Sequence, residues 1–173
     1  MSVVNSKQKG SAFEREVCRE LSLWVSKGSQ EDVFWRSATS GGRSTVAAKK
    51  GLRLATQAGD ISCIHQIGAP FIDKFLVECK NYADLNFVGL LLKRKGHLAE
   101  FWSEVCTQAD RYGKEPLLIA HQSRQPIIAC TTRQGGCLLN LPLMGQCIFH
   151  VPDLGLEAYL FEMVLKYGVA PHE

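Results

Sequence analysis

The sequence predicts an α/β domain in which helices flank a central mixed sheet. Two amphipathic helical segments, around residues 11–27 and 98–112, alternate with runs of β-type residues in the rough order αβββαβ, with additions. Such alternation is typical of α/β folds. The chain has 173 residues, of which 46% are hydrophobic, and this suits a single domain over residues 1–173 with its own core.

The first helix is expected over residues 11–27. Its apolar face consists of Phe13, Val17, Leu21, Trp24 and Val25. Ser11 and Glu14 have the spacing of a capping box, and Gly28 is a natural stop. From the residues alone, Glu14 is therefore interpreted as a helix-capping residue.

Three β-type runs follow the first helix. Residues 32–37 are a first strand, and residues 60–67 and 74–81 are two strands joined by a turn at residues 68–70. Residues 38–58 are rich in glycine, serine, threonine and basic residues and are predicted to form a long loop. In a compact domain, a loop of this length is more often functional than not.

The second half of the chain is assigned from the same two periodicities. Its elements are a short apolar segment (85–92), a basic linker (93–97), a helix (98–112), two strands (116–121 and 126–131), a candidate last strand (146–151) and a last helix (153–167). Gly113 is expected to end the helix that precedes it.

The apolar segments do not predict a membrane protein. The apolar stretch around residues 87–92 is far too short to span a bilayer, and residues 1–7 lack the apolar core of a signal peptide. We therefore expect no membrane partner and a cytoplasmic, intracellular location.

The cysteines are interpreted as reduced thiols. There are seven of them, an odd number, and none forms a CxxC pair. Five lie in apolar periodic segments, as expected for core residues in a reducing compartment. These five are Cys18, Cys63, Cys79, Cys106 and Cys130. The alternative is a zinc site, with the ligands Cys130, Cys137, Cys147 and His150. Their spacing fits no standard zinc site, so buried thiols are favoured.

Positive charge is concentrated in the first half of the chain, although the net charge is only +3. Residues 1–95 carry 15 lysines and arginines against 9 acidic residues, and residues 96–173 carry 5 against 8. Between Asp32 and Asp60 there is no acidic residue, but there are Arg36, Arg43, Lys49, Lys50 and Arg53. A second cluster is Lys93, Arg94 and Lys95. A basic surface suits a polyanion such as nucleic acid, and a solvated face that binds nothing is the ordinary alternative.

Two acidic residues and a lysine indicate a chemical site: Asp60, Glu78 and Lys80. Each acidic residue adjoins a predicted strand, and Glu78 and Lys80, two residues apart, point to the same side. Two carboxylates can hold a hard divalent cation such as Mg²⁺ or Mn²⁺, which prefers oxygen ligands. A lysine beside that cation can orient a water or stabilise a phosphate in its transition state. Taken alone, the trio predicts a divalent-metal site.

Three segments resemble those of the PD-(D/E)XK nuclease superfamily. They are Lys9-Gly10-Ser11-Ala12-Phe13-Glu14-Arg15-Glu16, Trp35-Arg36-Ser37-Ala38-Thr39-Ser40-Gly41, and Asp60 followed by Glu78-Cys79-Lys80. They look most like Holliday junction resolvases of the archaeal type, which open with a similar Lys-Gly-Ser-Ala-x-Glu-Arg segment. The resemblance covers about residues 7–131 and implies a restriction-endonuclease-like core, with residues 132–173 as a C-terminal extension.

The resemblance implies a role for each residue of the trio, and also for Glu14 and the main chain of Cys79. Asp60 and Glu78 match the metal-binding carboxylates, and the main-chain carbonyl of Cys79 is a further expected ligand. Lys80 matches the catalytic lysine. Glu14 matches a helix glutamate that reaches the site directly or through water, and it can also cap its helix.

The resemblance also places residues against DNA. Ser40 falls where such resolvases carry a serine that contacts the scissile region, with loop filler as a close alternative, and Arg36 matches a basic residue before it. Lys9 and Arg15 are expected near the phosphate backbone. Gly59 replaces the proline that gives the superfamily its name, which is expected to cost little because that proline is not a ligand.

The function that these observations predict is Mg²⁺- or Mn²⁺-dependent hydrolysis of DNA, selective for branched structures and used in recombination or repair in a bacterial, archaeal or phage-infected cell. One alternative is a nicking, restriction-like or repair endonuclease, including one carried by a phage. Another is a non-catalytic nucleic-acid-binding module on a nuclease fold. A branched substrate needs two symmetric cuts, so a two-fold homodimer is expected, and residues 137–144 are either its surface or part of the core.

Overall fold

A computed structural model gives the fold and describes residues 6–37, 58–141 and 147–171. The strands in these ranges are β1 (Phe34–Arg36), β2 (Ile61–Cys63), β3 (Phe75–Tyr82), β4 (Glu115–Gln122), β5 (Ile128–Thr131), β6 (Cys147–Val151) and β7 (Leu156–Leu160). The α-helices are α1 (Ser6–Val25), α2 (Ala69–Lys74), α3 (Phe87–Lys93), α4 (His97–Tyr112), α5 (Arg133–Leu138) and α6 (Phe161–Tyr167). Short 3₁₀ turns occupy Gln66–Gly68 and Pro152–Leu154.

The central sheet has five strands in the order β3-β4-β5-β7-β6. β3 and β4 run parallel over eight residue pairs, and the remaining neighbours are antiparallel. β1 and β2 form a separate antiparallel pair. A mixed sheet flanked by helices confirms the predicted α/β class and is a restriction-endonuclease-like arrangement.

Alternation along β3 assigns its side chains to two layers. Phe75 and Val77 pack against Phe13 of α1 in one buried cluster. Leu76 packs in a second buried cluster with Trp102 of α4. Because side chains alternate along a strand, residues 78, 80 and 82 continue the series that faces α4. Complete burial of a side chain such as that of Leu76 (0% exposed) contributes about 2 kcal/mol to this packing.

The predicted apolar face of the first helix is confirmed, but the predicted capping box is wrong. Phe13, Val17 and Leu21 are fully buried. The helix begins at Ser6 and not at residue 11, so Ser11 lies inside it, more than a turn from its start. A residue inside the helix cannot serve as its N-cap.

Two connections differ from the prediction. Between β2 and β3 the chain forms a 3₁₀ turn and then α2, where a tight turn at residues 68–70 was expected. The apolar segment 85–92 contains α3, which runs to Lys93. The helix predicted at 98–112 is confirmed as α4 and ends at Gly113, whose φ of 64° is left-handed.

The prediction of a single last helix over residues 153–167 is wrong. That segment contains β7 and only then α6. The strand predicted at 146–151 is confirmed as β6. β7 lies between β5 and β6, so residues beyond 131 contribute strands to the central sheet. The division into one domain with a core and an extension stays a prediction.

Within the candidate dimer surface 137–144, two of the described apolar residues are buried and two, Cys137 and Leu138, are exposed. Leu139 and Leu141 are buried, whereas Leu138 is exposed, and residues 142–144 lie outside the described ranges. Core packing is therefore the role of the two buried leucines. In the described part of the chain, no helix is both long and apolar enough to cross a bilayer.

Candidate active site

The candidate site lies along the outer edge of β3, the strand at one end of the central sheet. Asp60 approaches this edge from the chain before β2. Its N–H donates to the Val77 carbonyl at 2.9 Å, and its Oδ2 accepts from the Cys79 N–H at 2.9 Å. The residue is 8% exposed. These two hydrogen bonds fix the carboxylate against β3.

Gly59 allows this close approach. It has a φ of 82°, and a Cβ built on it would overlap the carbonyl oxygen of Val77. Neither a proline, whose φ is near −65°, nor a residue with a side chain fits this conformation without strain. Glycine at the position of the superfamily's proline is therefore what lets Asp60 reach β3 in this chain.

Glu78 and Lys80 form an ion pair on the face of β3 that looks toward α4. The Lys80 Nζ donates to Glu78 Oε1 at 2.9 Å, and the two side chains are 26% and 13% exposed. The same ammonium lies 5.4 Å from the ring centroid of Phe101 in α4. Lys80 is thus held between a carboxylate and an aromatic face, with part of its surface open to solvent.

Glu14 reaches the site region from α1 and is paired with Arg36. The Arg36 guanidinium donates to Glu14 Oε2, and the Glu14 side chain is 14% exposed. Arg36 ends β1, and the N–H of the next residue, Ser37, donates to the Asp60 carbonyl at 2.8 Å. β1 therefore brings a cation to Glu14 and is tied to the Asp60 backbone.

The carboxylates repel one another, and Asp60 shows it most clearly. Burial, and then the negative charge of Glu78, raise the pKa of Asp60 to about 7, with a further upward contribution from Glu14. The hydrogen bond from Cys79 and the charge of Lys80 act in the opposite direction but do not cancel the rise. Near neutral pH, Asp60 is therefore protonated in a substantial fraction of the folded molecules. A positive charge added nearby would favour its ionised form.

Lys80 remains a cation at neutral pH. Burial lowers the pKa of Lys80, but the carboxylates of Glu78, Asp60 and Glu104 outweigh burial, and the net shift is upward. A protonated lysine cannot act as a base. Its chemistry at this position is electrostatic: it can donate hydrogen bonds to a negatively charged oxygen.

The donor atoms at this edge are oxygens, the ligand type that Mg²⁺ and Mn²⁺ prefer. Because the N–H and C=O of one strand residue point to the same edge, the Cys79 carbonyl faces the edge that Asp60 occupies. In the described ranges, no three His, Cys, Asp or Glu side chains converge tightly enough to enclose a metal by themselves. Mg²⁺ does not require such a cage, because it is usually held by one or two carboxylates together with waters and substrate phosphates.

The residues predicted to contact DNA fall into four groups. Lys9 and Arg15 are exposed on α1. Lys93, at the end of α3, and Arg94 and Lys95, which follow it, are exposed, and Arg94 also pairs with Asp153 at 3.1 Å. Ser40, Arg43, Lys49, Lys50 and Arg53 lie outside the described residues. Arg36 is at the site, where its described partner is Glu14.

Sequence reasoning missed an aromatic cluster beside Lys80. Tyr82, the last residue of β3, lies 4.8 Å from His97 and 5.2 Å from Phe101, measured between ring centroids. The sequence does contain a signal for the position of Tyr82, because Tyr82 follows Lys80 by two residues and so shares its face of the strand. It was missed because the predicted strand ended at residue 81, one residue before Tyr82.

In the described part of the chain, the cysteines do not form a metal site. All seven are free thiols. Cys18, Cys79 and Cys130 are buried as predicted, whereas Cys63 and Cys106 are only partly buried. Cys137 and Cys147, two of the alternative zinc ligands, are exposed.

Comparison with known proteins identifies the family. Residues 5–135 match the family described as "phage putative PDDEXK endonuclease". No curated protein and no solved structure gave a match. The matched range contains Glu14, Asp60, Glu78 and Lys80, and it confirms the PD-(D/E)XK superfamily, while the likeness to archaeal-type resolvases stays a prediction. The chain belongs to the phage putative PDDEXK endonuclease family.

Proposed function

We propose that this protein is a metal-dependent endonuclease that hydrolyses phosphodiester bonds in structured DNA. The observation that carries the proposal is the charge arrangement at the β3 edge. Asp60 and Glu78 are close enough for Glu78 to raise the pKa of Asp60, and a protonated Lys80 is bonded to Glu78. A divalent cation relieves the carboxylate repulsion, and a lysine beside it suits a phosphate.

Four groups would hold the metal. Asp60 and Glu78 supply carboxylate oxygens, Cys79 supplies its main-chain carbonyl, and Glu14 contributes directly or through water. The chemistry supplied by Mg²⁺ or Mn²⁺, when bound, is polarisation of a phosphoryl oxygen and acidification of water.

Among the side chains of the candidate site, Lys80 has a proposed role that its contacts support directly. Its ammonium would lie against the scissile phosphate and stabilise the negative charge that grows on the phosphoryl oxygens. The hydrogen bond to Glu78 and the contact with the Phe101 ring would fix the position of the ammonium before DNA binds. Little reorganisation of the Lys80 side chain would then be needed for the reaction. Arg36 would hold the Glu14 side chain in position beside the site.

The basic residues would bind the DNA backbone. Lys9, Arg15, Arg36, Arg43, Lys49, Lys50, Arg53, Lys93, Arg94 and Lys95 are the proposed contacts. Phosphate contacts of this kind position DNA without reading its sequence. Selectivity would then depend on DNA shape, as in a junction resolvase, and two symmetric cuts would require a homodimer.

A cleavage panel tests the proposal. A four-way junction, a flap and a linear duplex are each incubated with wild type and Asp60→Ala, in Mg²⁺ and in EDTA. We expect the branched substrates to be cut fastest by wild type in Mg²⁺, and no cutting in EDTA or by Asp60→Ala. Equal cutting of linear duplex would favour the restriction-like or repair alternative. Absence of any cutting by wild type would favour the non-catalytic binding module.

A second variant checks the assigned residues. Mg²⁺-dependent cleavage that survives in both Asp60→Ala and Lys80→Ala would show that the active site lies elsewhere in the protein. Thermal melting of each variant separates loss of chemistry from loss of folding.

A further inference from the structure

An exposed aromatic cluster extends the candidate site along β3. Tyr82, His97 and Phe101 form it, and the ring planes of His97 and Phe101 are 21° apart at a centroid distance of 6.1 Å. Tyr82 is 43% exposed, and the His97 side chain is 49% exposed. Aromatic rings in a core are covered by their neighbours, whereas two of these three present much of their surface to solvent.

The cluster has a fixed position relative to Lys80. Glu78, Lys80 and Tyr82 are alternate residues of one strand, so Tyr82 follows Lys80 on the same face at a spacing of about 7 Å. Phe101 touches both, since its ring lies 5.4 Å from the Lys80 Nζ and 5.2 Å from the Tyr82 ring. A group seated on Tyr82 would therefore adjoin whatever Lys80 binds.

The segment that leads into the cluster is basic and well anchored, and the cluster also has an acidic neighbour, since the Glu100 Oε2 lies 3.4 Å from the His97 Nδ1. Lys93 and Lys95 are exposed just before His97 in the chain. Arg94 caps α3 and pairs with Asp153, and the N–H of Leu98 donates to the Leu85 carbonyl at 3.1 Å. The connection between α3 and α4 is thus held in place by contacts of its own. Positive charge around an aromatic surface is the combination that binds a nucleotide with both its phosphate and its base.

We propose that Tyr82, together with His97 and Phe101, is a stacking subsite for one unpaired DNA base next to the phosphate at Lys80. The inference rests on the proposed function and narrows its substrate to DNA with an unpaired nucleotide beside the cut, as in a flap, a gap or a fork. A paired base has both faces covered by its neighbours in the duplex. An unpaired base exposes a face, and such a face stacks on aromatic side chains with little regard to sequence.

Equilibrium binding in EDTA tests the subsite without cleavage. Fluorescence anisotropy compares two probes of equal length, a single-stranded oligonucleotide and a blunt duplex, with the full-length protein. We expect Tyr82→Ala and Tyr82→Leu to weaken binding of the single strand about 10-fold, because both remove the ring. Tyr82→Phe keeps the ring and should bind like wild type. Duplex binding should be unchanged in all three variants.

Tyr167→Ala is the matched control, because Tyr167 also carries a lysine ammonium against its ring, 4.8 Å away, but lies on α6. It should leave binding of both probes unchanged. The subsite is wrong if Tyr82→Ala and Tyr82→Leu bind the single strand like wild type, or if they lose both probes equally. It is also wrong if Tyr82→Phe is as weak as Tyr82→Ala. Thermal melting shows that each variant is folded.

Cleavage separates failure of the subsite from failure of the proposed function. If wild type cuts flaps in Mg²⁺ and Tyr82→Leu cuts them equally well, the subsite fails and the nuclease stands. If wild type cuts no DNA but its single-strand binding depends on the ring of Tyr82, the subsite stands and the nuclease fails.

Discussion

Two nearly buried carboxylates, Asp60 at the β3 edge and Glu157 in β7, have opposite surroundings. Asp60 is 8% exposed and Glu157 is 5% exposed. Glu157 accepts a hydrogen bond from the Tyr159 hydroxyl at 2.6 Å and lies 3.7 Å from the Arg133 guanidinium. The charged group with the largest influence on Asp60 is another carboxylate, that of Glu78, and the pKa of Asp60 is raised to about 7.

The difference separates a carboxylate whose burial the fold compensates from one whose burial it does not compensate. At β7, a donor and a cation compensate for taking the carboxylate out of water, as buried charges in proteins generally require. At the β3 edge, burial and like charge add to each other, which costs stability. Such a cost is typical of sites that are completed by a metal or a substrate. Burial alone would have made the two residues look alike.

The first prediction removes the cation at each location, and a large effect on cleavage is expected only at the β3 edge. Lys80→Ala should slow Mg²⁺-dependent cleavage by about 10²–10³-fold, because the charge of the transition state loses its partner. Arg133→Ala removes the cation next to Glu157 and should leave the cleavage rate unchanged. Single-turnover cleavage with enzyme in excess measures both rates. A similar loss in the two variants would remove the functional distinction between the two locations.

The second prediction concerns the backbone that delivers Asp60. Gly59 and Gly28 have nearly the same φ, 82° and 85°, but only a Cβ at Gly59 would meet other atoms within 4 Å. Gly28→Ala should therefore cost about 1 kcal/mol of stability from backbone strain alone. Gly59→Ala should cost about 3 kcal/mol, because it also displaces the chain from Val77.

Urea denaturation measures both free energies of unfolding. Cleavage by folded Gly59→Ala should also fall, since Asp60 moves with its neighbour. Equal stability losses in the two glycine variants would contradict the close approach of Gly59 to β3.

The third prediction is a pH dependence of stability in EDTA. Folded Asp60 titrates at about 7, whereas an unfolded aspartate titrates at about 4. Between these pH values the folded state binds more protons, so the contribution of Asp60 lowers stability as pH rises. Asp60→Asn should therefore be more stable than wild type at about pH 8, by about 4 kcal/mol, since the pKa of Asp60 differs by about 3 units between the folded and unfolded states and each unit is worth about 1.4 kcal/mol. The gain should shrink as the pH falls toward about 4.

Glu157→Gln is the matched control, and it should lose stability because its carboxylate is compensated by Tyr159 and Arg133. Urea denaturation at several pH values measures the free energy of unfolding of both variants. If Asp60→Asn were less stable than wild type at about pH 8, the repulsion at the β3 edge would be refuted.

The smallest expected effect concerns DNA affinity. Lys93→Ala and Lys95→Ala should each reduce the slope of log affinity against log salt by about 1, because each removes one phosphate contact. Lys166→Ala, an exposed lysine on the helix that follows β7, should leave that slope unchanged. Anisotropy titrations over a range of salt concentrations give the slopes. Equal slopes for all three variants and wild type would show that Lys93 and Lys95 do not contact the DNA backbone.

The pairing of Glu78 with Lys80 could be predicted from the sequence because it is local. Glu78 and Lys80 lie two residues apart on a strand whose apolar core was plain from its composition, and strand alternation then fixes their common face. The position of Asp60 against β3 was not predictable, because it depends on hydrogen bonds from a neighbouring backbone. The pairing of Glu14 with Arg36 was hidden for a related reason, since it joins α1 to β1 across 22 residues.

The errors in the fold also have physical causes. The capping-box pattern of Ser11 and Glu14 predicts a helix start at residue 11, but α1 begins at Ser6 and does not use that box. The stretch 153–167 looked helical, but residues 156–160 pair on both sides within the sheet, and tertiary pairing overrides local preference. Gly155, with a φ of 58°, marks the break that precedes β7.

The most direct test of the central claim compares the two carboxylates by their chemistry. Single-turnover cleavage of a branched DNA in Mg²⁺ is measured for Asp60→Asn and Glu157→Gln, each the closest uncharged equivalent of the native residue. We predict that Asp60→Asn loses cleavage by about 10³-fold or more, because the metal and the phosphate lose their support. Glu157→Gln should cleave at the wild-type rate per folded molecule. Wild-type cleavage by Asp60→Asn, or an equal loss in both variants, would contradict the assignment of the β3 edge as the active site.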